Sequence, residues 1–284
     1  MSAVQKQTVP SAEAMSRSGR GLVAVGQLVS RVGPFLGLVV ILLAGWEAIV
    51  RLLDVPRYTL PPPMEVVTAL VNGVTSGVLV THTWVTLQEV LLGFGLAILF
   101  ATVIAAVVTR WELIERAFMP LIVALQAVPK VALAPLLLTW FGFGMTSKVV
   151  TTALLAFFPL LINLIAGIQS ADRDRMEMFR GLGATKWQTF RMLQMPAALP
   201  YFFAGLKIAL TFSIIGAIVA EFVGAQAGLG YMIQLSSTNL NVATTFAVLV
   251  ILSAIGMTLT SLIGWLGAKV VFWQGKGLDA ISGS

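Results

Sequence analysis

The sequence predicts an all-α protein that crosses a membrane about six times. Hydrophobic residues make up 58% of the 284 and charged residues only 11%, whereas an average soluble domain carries about a quarter charged residues. Residues 149–171 contain no charge, and a helix of that length is sufficient to cross a hydrocarbon core of about 30 Å. Composition and the repeated apolar runs together predict a polytopic membrane protein.

Six charge-poor runs are the predicted transmembrane helices. They lie at about 34–53, 88–109, 117–141, 149–171, 203–222 and 243–268. The third run contains Pro129, Lys130 and Pro135, and proline lacks the N–H that a helix interior requires, so we expect this helix to be broken. After the fifth run, Gly228, Gly230 and a polar SSTNLN segment mark the predicted part outside the membrane.

The predicted domain organisation is one membrane domain between two tails. Residues 1–33 are polar, Ser-rich and basic, which predicts a disordered cytoplasmic N-terminal tail. The membrane domain is expected over 34–270, followed by a cytoplasmic C-terminal tail at 271–284. No A-x-A-like site follows the first run cleanly, so we expect the first span to remain uncleaved.

The distribution of Lys and Arg predicts the orientation. With the N-terminus inside, 13 of the 18 basic residues fall on the cytoplasmic side. They are Lys6, Arg17, Arg20, Arg31, Arg110, Arg116, Arg173, Arg175, Arg180, Lys186, Arg191, Lys269 and Lys276. Only Arg51, Arg57 and Lys148 fall outside, while Lys130 and Lys207 lie within spans. Because cytoplasmic loops collect positive charge, both termini are predicted to be cytoplasmic.

The longest polar interruption, residues 172–200, is predicted to lie on the same cytoplasmic side. We call it the polar segment; it has the sequence DRDRMEMFRGLGATKWQTFRMLQMPAALP. Gly183 is expected to join two short helices, and Pro196 is expected to end the second. The second helix is predicted to carry an apolar stripe suited to a groove on a partner. The stripe consists of Trp187, Phe190 and Leu193.

Several motifs resemble those of ABC importer permeases. Glu177 is followed six residues later by Gly183 and then by a proline-bearing end, which resembles the EAA loop of that family. The stretch MFRGLGATKWQTFRMLQMPAALPYFFAGLKIAL is similar to the loop in the nitrate/sulfonate/taurine-type subgroup. YTLPPPMEV, QAVPKVALAPLLLTWFGFG and EFVGAQAGLGYMI fit the subgroup in the same order. The namesake Glu-Ala-Ala is here Glu177-Met178-Phe179, with bulkier side chains at the two alanine positions.

The resemblance implies a MetI-like, type I importer permease with a cytoplasmic coupling helix in a bacterial inner membrane. It implies two copies of a cytoplasmic ATPase, a second permease copy forming a homodimer, and an extracytoplasmic substrate-binding protein that delivers a small solute. The ATPase-coupling residues that it implies are Glu177, Gly183, Ala184, Thr185, Trp187, Phe190, Arg191 and Pro196. The alternative is that the polar segment is only a solvated loop whose acidic residues cap helices.

The sequence lacks the residues that nucleotide hydrolysis, metal binding and thiol chemistry require. A P-loop needs G-x-x-x-x-G-K-[ST], and the nearest strings, GFGMTSK from Gly142 and GLGATK from Gly181, lack that spacing. No cofactor is therefore expected here, and ATP and Mg²⁺ are expected on the partner ATPase. One histidine and no cysteine exclude His-based metal sites and thiol chemistry. The net charge of +6 is expected from basic cytoplasmic loops and indicates membrane lipid rather than nucleic acid as a partner.

Three polar side chains within spans are candidates for lining a translocation path, since polar groups in lipid are costly. Lys130 either faces the path or snorkels or pairs with a carboxylate such as Glu221. Glu221 either gates the path, receives the binding protein, or caps the glycine-rich turn that follows it. Asn163 either lines the path or makes an interhelical hydrogen bond.

Four other polar residues are predicted to have no role in transport. Lys207 is expected to reach lipid headgroups, and Glu47 and Glu89 are expected near the membrane interfaces without a chemical role. His82 is expected in the outer loop, exposed to solvent.

Two other classes of transport protein remain as alternatives. A secondary transporter would show inverted repeats and ionisable residues near the midplane, and a channel would not need the polar segment. A membrane enzyme would need a catalytic constellation that the spans do not offer. Small anions, sulfonates, aromatic acids and pyrimidine or flavin vitamins all remain open as the solute.

Overall fold

The computed structural model describes residue 34 and residues 37–273, and that part is helical without strands. The predicted N-terminal tail, residues 35 and 36 of the first predicted span, and residues 274–284 lie outside the described residues. The helices are α1 (37–52), α2 (Pro63–Thr75), α3 (Val78–Val108), α4 (Glu112–Ala127), α5 (Ala134–Phe141), α6 (Met145–Gln169), α7 (Arg173–Gly181), α8 (Lys186–Thr189), α9 (Met195–Gly224), α10 (Leu229–Thr238) and α11 (Val242–Val270). A 3₁₀ turn (Lys130–Leu133) precedes α5, and a π-helical turn (Phe190–Gln194) precedes α9.

Four of the described helical stretches are long and apolar enough to cross a membrane. They are α3, α6, the continuous stretch Lys186–Gly224 and α11, and they correspond to the second, fourth, fifth and sixth predicted spans. α3 begins at Val78 rather than near 88. The predicted span was limited by the charge of Glu89, whereas the structure buries that charge inside the helix bundle. The predicted all-α membrane architecture is confirmed.

The third predicted span is broken, as its prolines indicated. Leu113–Ala127 and Lys130–Phe141 are bent by 78° at the break, and the pair counts as a fifth span only if both arms cross together. Val128 is extended (φ −65°, ψ 127°) where α4 ends, which is the conformation that a following proline imposes on its neighbour.

The fifth predicted span begins earlier than expected, and the predicted stop at Pro196 is wrong. The chain runs as one helix from Lys186 to Gly224. Pro196 lies in the first turn of α9 and follows the π-helical turn directly. A π-helical turn widens the hydrogen-bonding pattern, and a proline in a first turn has no intrahelical N–H partner to lose. The helix therefore continues through a residue that commonly ends one.

The core of the residues from 66 onward is centred on α6, which packs mainly against α9 and α3. Of the apolar window of α6, 56% is buried, against 22–39% in the other three spans. Glycines allow the close approach: a Cβ at Gly93 of α3 would collide with Thr152 of α6, and one at Gly216 of α9 would lie 2.8 Å from the Cα of Thr152. Thr152 is thus the point where three spans meet.

The described residues up to Glu65, residue 34 and residues 37–65, belong to a separate compact unit. Within it, Glu47 accepts a hydrogen bond from Arg51 one turn later at 2.5 Å, and Arg57 pairs with Glu65 at 2.9 Å. Both arginine side chains are largely exposed, so these ion pairs contribute at most about 1 kcal/mol each.

Candidate functional site

The first half of the polar segment is a short helix with its own N-terminal cap. Asp172 accepts a hydrogen bond from the backbone N–H of Asp174 at 2.9 Å, and Asp174 adds a negative charge to the first turn of α7. An acidic cap satisfies an amide that has no helical partner and complements the positive end of the helix dipole. Arg180 lies in the last turn, where positive charge is favourable.

α7 ends in a Schellman motif centred on Gly183. The N–H of Gly183 donates to the carbonyl of Arg180 and the N–H of Ala184 donates to that of Phe179, both at 3.0 Å. Gly183 has φ +74°, a left-handed conformation that an L side chain resists. A glycine turn between two helices was predicted at this position, and the structure has one.

A capping box starts the second helix of the polar segment. The N–H of Thr185 donates to Gln188 Oε1 at 2.7 Å, and the N–H of Gln188 donates to Thr185 Oγ1 at 3.3 Å. This reciprocal pair satisfies two amides that the helix start would otherwise leave without partners. Thr185 therefore has a structural role in the local fold whatever else it contacts.

Apolar side chains stand exposed at the tip of the polar segment. Trp187 is 66% exposed and Leu182 is 78% exposed. Trp187 stacks on Phe190 with ring centroids 5.8 Å apart. Met178 is also exposed, and Phe179 is half-buried, so the bulkier pair after Glu177 is accommodated with one side chain pointing outward.

The predicted coupling residues are distributed over the polar segment from α7 to the start of α9. Five of them are exposed and three are half-buried. The exposed ones are Glu177, Gly183, Thr185, Trp187 and Arg191, and the half-buried ones are Ala184, Phe190 and Pro196.

Lys130 occupies the break between α4 and α5. Its Nζ donates to the backbone carbonyl of Gln126 at 3.1 Å and lies 4.7 Å from the ring centre of Phe158. Because α4 ends at Ala127, its last carbonyls have no helical partner, and the ammonium binds one of them while it also contacts the Phe158 ring. Lys130 also lines a cavity of about 340 Å³. The contacts described for it do not include a carboxylate.

Asn163 contacts its own helix and the glycine of a neighbour. Its Nδ2 donates to the carbonyl of Pro159 at 2.8 Å within α6, so this hydrogen bond is not interhelical. A Cβ at Gly205 of α9 would lie 2.8 Å from the Asn163 Cβ. Lys207, also on α9, is half-buried.

Glu221 lies fully buried at the end of α9 and binds the turn that follows it. Its Oε1 accepts from the Thr86 hydroxyl at 2.6 Å. Its Oε2 accepts from the backbone N–H groups of Gly230 and Tyr231, in the first turn of α10. An ionised carboxylate only accepts hydrogen bonds, and three donors converge on this one. These contacts agree with the alternative in which Glu221 caps the glycine-rich turn. A contact between Glu221 and a solute stays a prediction.

His82 completes the same arrangement, and its predicted place in a solvated loop is wrong. His82 lies in α3, and its Nδ1 accepts from the N–H of Gly228 at 2.9 Å. Thr86 Oγ1 accepts from the N–H of Leu229 at 2.7 Å. Gly228 has φ +125°, and a Cβ there would overlap the Glu221 carboxylate. The start of α10 is therefore held by side chains from two other helices.

Glu89 was predicted to lie near a membrane interface without a chemical role, and that prediction is also wrong. It is 0% exposed, and its Oε1 accepts from Lys148 Nζ of α6 at 2.7 Å. An ion pair with both partners out of water ties α3 to α6 strongly, because either charge alone would be costly. We call His82, Thr86, Glu89, Lys148 and Glu221 the buried polar cluster. The spacing of three between Thr86 and Glu89 was the one signal in the sequence for it.

Comparison with models of known families identifies the family to which the chain belongs. Residues 93–272 match the family described as "Binding-protein-dependent transport system inner membrane component". The matched part begins in α3 and includes the polar segment, α9 and α11.

Two curated relatives match over nearly their whole length. The riboflavin transport system permease protein RibX of Chloroflexus aurantiacus is 38% identical over 85% of this chain and 91% of its own. The formylaminopyrimidine transport permease protein ThiX of Halalkalibacterium halodurans is 37% identical over 81% of this chain and 92% of its own. Permeases for aliphatic sulfonates and for taurine, from Bacillus subtilis and Escherichia coli, are also among the relatives, and they confirm the predicted subgroup.

A solved structure shares the fold. The MetNI methionine ABC transporter, in an inward facing conformation, matches with a TM-score of 0.56 at 21% identity. The match covers 66% of this chain and 92% of the MetNI chain. The predicted MetI-like fold is confirmed.

Proposed function

Because the chain belongs to the family of binding-protein-dependent transport system inner membrane components, and is a permease of the ABC importer type, we propose that the polar segment couples it to a separate ATPase. The family membership leaves the secondary-transporter and channel alternatives without support. The protein is a multi-pass inner membrane protein. The proposals below concern its orientation, its partners and the residues that contact them.

The exposed tip of the polar segment carries the coupling proposal. A patch of exposed large apolar side chains marks an interaction surface, and Leu182 and Trp187 are exposed on either side of the connection from α7 to α8, which is capped by hydrogen bonds at both ends. Trp and Arg are the residue types that dominate protein interfaces. Trp187, stacked on Phe190 and followed by Arg191, is therefore our choice for the residue that enters a groove on the ATPase.

The orientation proposal follows from charge. We propose that the polar segment and both termini are cytoplasmic, since the basic residues concentrate on that side of the predicted topology. The buried polar cluster then faces outward, because α6 begins beside it and ends at the polar segment. Reaction of single cysteines placed at Arg175 and at Asn239 with a membrane-impermeant reagent tests this. Labelling of the Arg175 position from outside intact cells would reverse the orientation.

We propose that two copies of the permease form a homodimer bound to two ATPase subunits, and that an extracytoplasmic binding protein delivers the solute. The support is membership of a family whose name specifies dependence on a binding protein. The mass of the purified complex measures the copy number directly.

We propose that Lys130, Asn163 and Glu221 lie along the translocation path. The support is strongest for Lys130, since its ammonium lines a cavity together with Phe158, Pro159 and Phe212. Lys130→Ala and Lys130→Arg, with transport and ATP hydrolysis measured in parallel, test the role. Selective loss of solute affinity in the alanine variant supports it, and unchanged affinity in both variants removes it.

For the solute we propose a planar nitrogen heterocycle. The support is that the relatives at 38% and 37% identity carry riboflavin and formylaminopyrimidine in their names, whereas two relatives named for aliphatic sulfonates are 32% and 33% identical. Competition by unlabelled riboflavin, formylaminopyrimidine and an alkanesulfonate for binding to the companion binding protein decides between them. Competition by the sulfonate alone would overturn the assignment.

The coupling proposal is tested by Trp187→Ala in the full permease. We expect the variant to fold normally, because the side chain is mostly exposed. The amount of ATPase that co-purifies with it should fall at least about tenfold, the loss typical of an interface anchor. Met192→Ala is the matched control, since Met192 is equally exposed (65%) and lies outside the predicted coupling set. Equal ATPase retention by wild type and Trp187→Ala would contradict the proposal.

A further inference from the structure

A cavity of about 560 Å³ lies between the polar segment and the connection from α3 to α4. None of the functions above uses it. Two parts of the chain that are far apart in sequence form its wall: the region around the α3–α4 connection and the polar segment, which takes part through α7, α8 and the π-helical turn. Arg110 from the first part and Arg180 and Lys186 from the second are its cationic side chains.

The cavity carries excess positive charge. Among the described side chains that line it, Glu115 is the one acidic group, and its Oε1 already accepts from Gln169 Nε2 at 2.5 Å. The ion pairs described for the chain do not include Arg110, Arg180 or Lys186. Like charges that converge from three elements repel one another, so an anion between them would be bound favourably.

The cavity also lies at the edge of the apolar part of the protein. α3 ends at Val108, so Arg110 stands directly after residues 90–109, a run without a charged side chain. Trp111 is 54% exposed and Leu113 is 82% exposed, and tryptophan is the residue type that favours the membrane–water boundary. An anion in the cavity would therefore lie at headgroup depth, beside an exposed apolar surface that acyl chains could cover.

We propose that this cavity binds the phosphate of an anionic phospholipid, held by Arg110, Arg180 and Lys186. Basic pockets beside transmembrane helices are suited to such headgroups, and arginine matches phosphate with two parallel hydrogen bonds. The stacked pair Trp187 and Phe190 forms an apolar wall of the same cavity. Because these two residues also belong to the polar segment, a lipid bound here would brace the segment against α3.

The test uses the purified full-length chain in nanodiscs of three kinds. One contains phosphatidylcholine alone, one adds phosphatidylglycerol, and one is phosphatidylcholine with inorganic phosphate in the buffer. Native mass spectrometry counts the phosphatidylglycerol that each protein retains, and a thermal melt gives Tm. We expect phosphatidylglycerol to be retained and to raise Tm, and Arg110→Ala and Arg180→Ala each to lower retention about fivefold.

Arg173→Ala is the matched control, because Arg173 is an exposed arginine on the same helix as Arg180 and does not line the cavity. It should leave retention unchanged, and Arg110→Lys, which keeps the charge but loses the paired hydrogen bonds, should lower retention less than Arg110→Ala does. Inorganic phosphate that reproduces the full rise in Tm would overturn the lipid assignment in favour of a free anion. Unchanged lipid retention in both alanine variants would overturn the proposal. If the same variants also retain less ATPase when the complex is purified, the cavity belongs to the ATPase interface.

Discussion

The buried polar cluster and the polar segment lie at opposite ends of α6 and α9, and they are held by opposite means. In the polar segment, the capping hydrogen bonds join residues two to five positions apart, as between Thr185 and Gln188. In the cluster, the four hydrogen bonds that join α3 to α6, to α9 and to the start of α10 connect residues 59 to 146 positions apart. One region is exposed and shaped by its local sequence, while the other is buried and shaped by the packing of four helices.

The difference indicates how each region can contribute to transport. Local caps hold the polar segment in shape without using its outer surface, so that surface stays free to bind another subunit. The cluster fixes the start of α10 to α3 and α9 through groups that lie away from water. Its hydrogen bonds are therefore strong and expensive to break, and α10 is expected to move only together with those helices.

The largest effect is expected from Lys148→Met in the cluster. The change leaves the Glu89 carboxylate fully buried without its cationic partner, which costs about 3–5 kcal/mol. We expect a markedly lower Tm in detergent and loss of folded protein. The double variant Glu89→Gln with Lys148→Met removes both charges and should recover most of the loss.

Arg51→Met provides the matched control for this prediction. It breaks the exposed pair between Glu47 and Arg51, whose arginine side chain is 77% exposed, and should change stability by about 1 kcal/mol or less. Similar losses in the two variants would mean that burial does not set the strength of the Glu89–Lys148 pair.

The next largest effect is expected from Thr86→Val in the cluster. Valine has nearly the same shape, but it removes the donor to Glu221 and the acceptor for the N–H of Leu229. Leaving buried polar groups without partners costs roughly 1–3 kcal/mol. A thermal melt measures the loss of stability. Thr258→Val is the control, because the Thr258 hydroxyl is exposed and its described hydrogen bond lies within its own helix. Faster hydrogen exchange at the start of α10 should accompany the change only in Thr86→Val.

This contrast also explains which parts of the molecule could be predicted from the sequence. The spans follow from apolar runs, and the glycine turn at Gly183 follows from local backbone chemistry. The cluster could not be predicted in the same way, because its partners meet only once the helices are packed. Glu89 and His82 were misplaced for this reason: a charge near the end of an apolar run is normally interfacial, and nothing local reveals that Lys148 lies opposite.

Pro196 shows a second limit of the sequence. Proline commonly ends a helix, and the prediction followed that rule. The π-helical turn that precedes it has no simple sequence signature, so the continuous helix from Lys186 to Gly224 could not be foreseen.

Gly183→Ala tests whether local backbone geometry gives the polar segment its shape. A side chain at φ +74° costs about 1–2 kcal/mol, but the strain falls on a turn that few other residues contact. We expect faster hydrogen exchange in α7 and α8 and weaker ATPase binding, with little change in the Tm of the whole protein. Gly181→Ala is the control two residues away, since a Cβ there meets open space and its φ is not positive. A large fall in Tm for Gly183→Ala would show that the polar segment is packed into the core.

The smallest effect is expected from Thr185→Ala. The change removes the hydroxyl that accepts from the N–H of Gln188 and donates to its side chain, while the backbone N–H of residue 185 still donates to Gln188 Oε1. Removing a helix N-cap hydroxyl costs about 1 kcal/mol. Thr185→Ser keeps the hydroxyl and should behave like wild type. Hydrogen exchange at Trp187 and Gln188 measures the change: if it rises several-fold in the alanine variant alone, the tip of the polar segment owes its shape to this cap. If exchange is equal in both variants, the tip is held instead by the continuous helix that follows it, and the two ends of the molecule would then depend on the same long-range packing.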